Sequence, residues 1–258
     1  MRRHNFLALG WLAFAYTTDC FPRPVAAPPV FSRIRSFGRP NTLSGGRASL
    51  QSFTMTIRLH TGDLPDLDAY GDVIAIDTET LGLKPHRDRL CVVQLSPGDG
   101  SADVVQIAKG QTAAPNLVRL LTDPRRIKVF HFARFDIAVL KQTFGITVTP
   151  LFCTKIASRL VRTYTDRHGL KDVTKELLGI DISKAQQSSD WGAATLSQAQ
   201  LEYAASDVLN LHALRQRLLA MLEREGRLEM AEACFRFLPT RADLDLAGWG
   251  EEDIFAHS

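Results

Sequence analysis

The sequence is poor in the features that mark secreted or membrane proteins. Only four cysteines occur in 258 residues, Cys20, Cys91, Cys153 and Cys234. They form no C-x-x-C pair and have no histidine at ligand spacing, which argues against a disulfide framework or a zinc site and points to a reducing, cytoplasmic setting. Cys91 and Cys153 sit inside apolar runs and read as small buried hydrophobes. No apolar run reaches the ~20 residues that a spanning helix needs, so no membrane partner is expected. No internal repeat is present. Charge of one sign is also scarce: the net value is +3, and even that is unevenly placed. Residues 1–54 carry seven arginines against the single acid Asp19, leaving 24 basic and 27 acidic residues in the remainder. That remainder lacks the broad basic stripe of a protein that grips long nucleic-acid backbones.

Residues 1–54 also hold five of the twelve prolines and show no sustained periodicity. They are expected to be a disordered leader or an over-extension upstream of a start at Met55. A targeting segment is the alternative, with Arg2 and Arg3 before the apolar residues 6–16. Residues 55–258 are expected to form one domain. Within it, residues 73–78, 90–96 and 103–107 read as short strands rich in Val and Ile, separated by Gly, Pro and Asp turns. A helix over 115–121 carries Pro near its first turn. A strand over 127–132 follows, then a helix over 133–144 stopped by Gly145. From Thr154 the pattern is helical, with one helix over 170–178 and a long amphipathic segment over 197–225. The sum is a mixed α/β domain.

Three groups of residues carry candidate chemistry. Asp77 and Glu79 lie two apart at the end of a strand and so project from one face. Their mutual repulsion is relieved by solvation or by a divalent cation. Asp136 falls in the first turn of a helix after an apolar strand, as a partner of the helix dipole or as part of a site. His131, at that strand's end, is a core histidine or a group that reaches the site. Tyr203 and Asp207 are four apart on a helix and share a face. Ala204 and Ala205 between them permit close approach to another element. Read alone, Tyr203 is equally a core aromatic and Asp207 a surface acid.

Taken as a set, Asp77, Glu79, Asp136 and Asp207, with Tyr203 four before the last, resemble the DEDDy-type 3′–5′ exonucleases of the ribonuclease D-like group. The stretches Asp77-Thr78-Glu79-Thr80-Leu81-Gly82-Leu83, Lys128-Val129-Phe130-His131, Gln187-Ser188-Ser189-Asp190-Trp191 and Leu201-Glu202-Tyr203-Ala204-Ala205-Ser206-Asp207 carry the likeness. Only 51 residues follow Asp207 in this sequence. That compactness, Thr163-Tyr164-Thr165-Asp166-Arg167-His168-Gly169-Leu170-Lys171 and the final six residues are most similar to the nanoRNase C family. The resemblance implies a ribonuclease H-like (DnaQ-like exonuclease) fold, a mixed sheet flanked by helices. It implies hydrolysis of very short oligonucleotides, dinucleotides above all, from the 3′ end with two Mg²⁺ or Mn²⁺ ions. It also implies a homo-octamer.

On that reading Asp77 bridges both ions, Glu79 and Asp207 serve the nucleophile side, Asp136 serves the second ion, and Tyr203 orients the attacking water. Leu83 occupies the place of a wedge between two bases, or else packs its own turn. Thr80, His131, Arg134, Lys171, Gln187 and Ser189 are candidate substrate contacts, with Arg167, His168 and Lys184 beside them. The alternatives are a ribonuclease D-like exonuclease trimming longer RNA or DNA, and a catalytically inactive nucleic-acid-binding module.

Overall fold

The computed structural model describes residues 55–183 and 185–257. The leader expectation for 1–54 and the candidate Lys184 fall outside the described residues. Among the described residues six strands form one sheet in the order β1-β4-β3-β2-β5-β6. The centre is an antiparallel meander of β2 (Val73–Thr80), β3 (Leu90–Ser96) and β4 (Ser101–Gln106). All seven residues of β3 are buried, as expected of a strand covered on both faces. On one side β1 (Thr56–Thr61) adds parallel to β4; on the other, β5 (Ile127–Phe130) and β6 (Leu151–Cys153) continue parallel from β2.

The strands β1 and β6 were not expected. β1 is an edge strand whose residues are exposed or half-buried, so it shows no apolar periodicity of its own. Asp103 on β4 holds it there: Arg58 donates to both carboxylate oxygens at 2.7 and 2.9 Å, and His60 Nε2 lies 2.7 Å from Oδ1. The Tyr70 hydroxyl adds a 2.6 Å donation. β6 has three residues, too few to display a pattern.

The helices are α1 (Pro115–Thr122), α2 (Ala133–Phe144), α3 (Thr154–Val161), α4 (Leu170–Leu178), α5 (Gln198–Leu209), α6 (Leu211–Arg224) and α7 (Leu228–Leu244), followed by a π-helical turn, Asp245–Trp249. Gly145 and Gly179 end α2 and α4 in the left-handed region, at φ 69° and 73°. Ser197 and Gln200 close a reciprocal capping box at the start of α5. The single amphipathic segment expected over 197–225 is two helices, because Asn210 ends α5 and begins α6 at ψ −8°.

Packing then aims α5. Ala204 and Ala205 are fully buried, so the helix backbone presses against the sheet beside Cys91, Val92, Val104 and Trp191. α2 leaves β5 through Phe132, whose φ of 72° is costly for a bulky side chain. That turn is short enough to bring the first turn of α2 to the end of the central strands. Among the described residues no helix is long and apolar enough to cross a membrane.

Candidate active site

Three carboxylates converge where β2 ends beneath α5. Oxygens of Asp77, Glu79 and Asp207 all lie within 4.8 Å of one another. The two-residue spacing on β2 aligns the first two; the close seat of α5 supplies the third. Asp136 arrives from α2, 3% exposed, with its Oδ1 accepting a 2.7 Å hydrogen bond from the Thr78 hydroxyl. It stands outside the three-oxygen cluster but raises the proton affinity of Asp77 and Glu79.

The electrostatics are those of charges gathered without compensation. Burial, then Asp136, Asp207 and Glu79, push Asp77 well above the usual carboxylate range. Burial, then Asp207 and Asp136, lift Glu79 to about 9. Burial lifts Asp136 and Asp207 to about 7, opposed by the hydrogen bonds from Thr78 and Tyr203 respectively. Among the described residues no Lys, Arg or His side chain forms an ion pair with any of the four, and none is among the main causes acting on them. The fixed partners are neutral: Thr78, Tyr203, and Gln94 Nε2, which donates to Asp77 Oδ2 at 2.7 Å across the β2–β3 pair. A cluster of hard oxygen donors lacking a protein cation fits Mg²⁺-like ions and offers nothing to softer metals. Tyr203 rests against Trp191 with ring centroids 6.0 Å apart. Burial and then the charges of Asp207, Glu79 and Asp77 raise its phenol, so it remains protonated and a donor.

Above the acids opens a cleft of about 600 Å³ whose lining includes Thr80, Leu83, His131, Lys171, Gln187 and Ser189. Several of these already have partners. The Thr80 hydroxyl donates to Gly82 O, Lys171 pairs with Asp181 at 3.0 Å, and the Ser189 hydroxyl donates to Gln186. His131 Nδ1 is 2.9 Å from the Thr154 hydroxyl; burial and then Lys155 push the ring down to about 3, keeping it neutral. Leu83 is 84% exposed.

Arg134 departs from the expected substrate contact. Its guanidinium is held by both oxygens of Asp245, at 2.6 and 2.7 Å, and by Gly250 O, and it faces a neighbouring cavity instead. The reason lies in helical period: two residues before Asp136, its side chain leaves α2 in another direction. Arg167 and His168 do not line the cleft. The Arg167 carbonyl accepts from the buried Arg162, and His168 Nδ1 lies 2.9 Å from the Ser158 hydroxyl.

Two residues of the site, one buried behind Asp77 and one in the cleft, escaped the sequence reading. Gln94, a fully buried amide inside an apolar strand, was visible as an anomaly. Lys155 had no signal at all; its ammonium lines the cleft 4.2 Å above the Phe132 ring, and among the described residues it has no carboxylate partner.

Comparison with known proteins places this geometry. Residues 63–223 match the family model of the 3′–5′ exonuclease domain. Ribonuclease D of Gluconacetobacter diazotrophicus is 42% identical over 156 residues, 60% of this chain and 39% of the relative. The chain thus spans about two-fifths of the length of the curated relatives it matches. Among solved structures, Brucella melitensis NrnC bound to pGG superposes with a TM-score of 0.78 at 67% identity, covering 80% of this chain and all of that one. The same protein is also known with bound Mg²⁺. Escherichia coli ribonuclease D superposes with a TM-score of 0.61 at 28% identity, over 67% of this chain and 45% of that one. The mixed sheet with flanking helices is accordingly the ribonuclease H-like arrangement that the resemblance implied.

Proposed function

The chain belongs to the 3′–5′ exonuclease family, and from that premise we propose that it is a divalent-metal-dependent, DEDDy-type 3′–5′ exoribonuclease that hydrolyses very short oligonucleotides, dinucleotides above all, to mononucleotides. The observation that carries the reading is the set of four acids with no ion-pair partner among the described residues. Asp77, Glu79, Asp136 and Asp207 would hold two Mg²⁺ or Mn²⁺ ions. Such a pair supplies the positive charge that activates a water and stabilises the leaving oxygen of a phosphodiester.

The chain's own groups do the rest. Tyr203, protonated and beside Asp207, orients the attacking water. Gln94 fixes the carboxylate plane of Asp77 through its 2.7 Å hydrogen bond. Lys155 meets a substrate phosphate, and Leu83, projecting at the cleft mouth, substitutes an apolar contact for base stacking without reading sequence. Gln187, Ser189, His131 and Thr80 contribute polar contacts along the wall.

Support for short substrates comes from the acidic balance of residues 55–258 and the exposure of Leu83. The similarity to a nuclease solved with pGG adds to it. Timed digestion of end-labelled RNAs of graded length, with Mg²⁺, Mn²⁺ or chelator, tests the proposal. Dinucleotides should be cleared far faster than decanucleotides, and only with metal. Faster release from decanucleotides would mark a general trimming exonuclease, and a sample inert with every metal would mark a binding module.

With this activity we place self-association into a homo-oligomer, an octamer by resemblance. Phe255, Trp249 and Ile254 are 76%, 45% and 44% exposed, and so much apolar surface calls for a partner. Light scattering after size exclusion reads the state directly.

A further inference from the structure

Leu83 presents a physical problem. An apolar side chain 84% exposed gains nothing from its own burial, yet the loop that carries it is tightly bonded. Residues 81–89 join β2 to β3, and Asp88 is the only buried residue among them. Its Oδ2 accepts from the Lys84 amide at 3.0 Å, while Lys84 O accepts from the amides of Arg87 and Asp88 at 2.9 and 2.7 Å. The turn over 84–88 is thus closed from both sides. The same carboxylate lies against Gly82 so closely that a methyl group there would collide with it. Arg87 completes the set, with Nε 2.7 Å from Oδ1. At the loop's base, the Leu81 amide donates to Arg89 O, and the Arg89 guanidinium donates to Leu90 O and Ile107 O. Leu83 itself stands between the catalytic cleft and a neighbouring cavity of about 710 Å³, lining both.

We infer that Asp88 is a positioning residue: it locks the 84–88 turn from beneath and so fixes the direction in which Leu83 projects between the two cavities, which sets the affinity for short oligonucleotides. The inference rests on the proposed contact between Leu83 and substrate bases. An apolar contact that must enter between two bases gains from being held in place before binding, because ordering a free loop at that moment would weaken affinity. Asp88 touches no substrate. It acts through the backbone of residues 82–84, and Arg87 and the Lys84 amide hold its carboxyl at about 2, so it is ionised at any working pH.

The test compares two substrates in Mg²⁺. One is a 5′-phosphorylated diguanylate; the other is p-nitrophenyl thymidine 5′-monophosphate, which has one base and nothing for Leu83 to separate. Asp88→Ala should raise KM for the dinucleotide roughly tenfold with kcat changed less than about twofold, a displacement-sized effect. Its kcat/KM on the ester should stay within about twofold of wild type, which a general loss of structure would not allow. Leu83→Ala should raise the dinucleotide KM at least as much, and the double variant should be no worse than Leu83→Ala alone.

A normal dinucleotide KM in Asp88→Ala, beside a raised one in Leu83→Ala, would overturn the inference and leave the substrate reading standing. Equal losses on both substrates in Asp88→Ala would also overturn it. A normal KM in Leu83→Ala would instead remove the substrate reading, and the inference with it. If Asp88→Ala does not fold, Gly82→Ala presses on the same contact with every charge kept, and should lower the dinucleotide-to-ester ratio of kcat/KM by a similar factor; an unchanged ratio would overturn the inference.

Discussion

A lone buried acid at one edge of the sheet and a cluster of four acids at the end of β2 have opposite characters. At the β1–β4 edge, burial pushes Asp103 up, but hydrogen bonds from Arg58, Tyr70 and His60 more than offset it and leave the carboxyl at about 2. At the end of β2, the same burial acts on Asp77, Glu79, Asp136 and Asp207 with neutral donors as the main groups against it among the described residues, and all four rise. The difference separates an acid that holds the fold together from acids that the fold holds apart from any counter-charge. The first has its cation within the chain. The second group is stable as charged groups only if a cation comes from outside.

The largest effect that could break this contrast is loss of turnover. Asp207→Asn or Asp136→Asn should lower kcat by at least about 10³-fold while leaving the metal-free melting temperature equal or higher, since each removes a repelling charge. A variant with wild-type turnover would take that residue out of the site. Tyr203→Phe comes next, with kcat down about 10²-fold and KM nearly unchanged; unchanged turnover would refute its role toward water. Asp103→Ala should do the reverse, losing about 3–5 kcal/mol in urea unfolding while the folded fraction keeps its kcat. A neutral result there would mean that β1 needs no ionic clamp.

The smallest effects sharpen the comparison through pH. Glu79, at about 9 against an ordinary 4.5, keeps a proton in the folded metal-free protein that the unfolded chain has released. Stability should therefore fall as pH rises through that window and level off above it, with Asp136 and Asp207 adding to the slope below about 7. Asp103 has the opposite sign: its contribution is complete above the ordinary 3.8 and is lost as pH falls toward 2. Calorimetry with chelator and then with Mg²⁺ separates the two. Mg²⁺ at a hundredfold excess over its Kd should add about 2.7 kcal/mol near neutrality and remove the alkaline slope, leaving the acid limb intact. An alkaline slope indifferent to Mg²⁺ would mean that no ion neutralises the cluster.

Parts of the fold were legible where a local period or a cap announced them. The run 90–96 is apolar apart from Gln94 and Ser96 and is buried along its whole length; Gly145, Gly179 and Ser197 mark helix ends that the structure shows. The strands β1 and β6 were not legible, one because edge position erases alternation and the other because three residues hold no period. Asn210 interrupts a helix within an unbroken amphipathic pattern, since side-chain periodicity is almost blind to a single residue near ψ 0°. Within the site, Gln94 could have been singled out as a polar residue in an apolar strand. Lys155 could not: nothing in its neighbourhood distinguishes a cleft lysine from a solvated one. Arg134 shows the converse, a cation beside a key acid in sequence that spends its guanidinium on Asp245 instead.

What the sequence determined by itself is the set of short-range pairings. Asp77 and Glu79 share a strand face and Tyr203 and Asp207 share a helix face, because backbone geometry imposes those periods wherever the elements form. Only the tertiary structure decided that the two pairs meet. Ala204 and Ala205 let α5 sit low enough, and Phe132 turns the chain sharply enough, to bring Asp207 and Asp136 to the end of β2. Spacing along a chain is fixed by covalent geometry. Which acid is given a counter-charge and which is left to acquire one depends on packing between residues far apart in sequence, and that is settled only when the core closes.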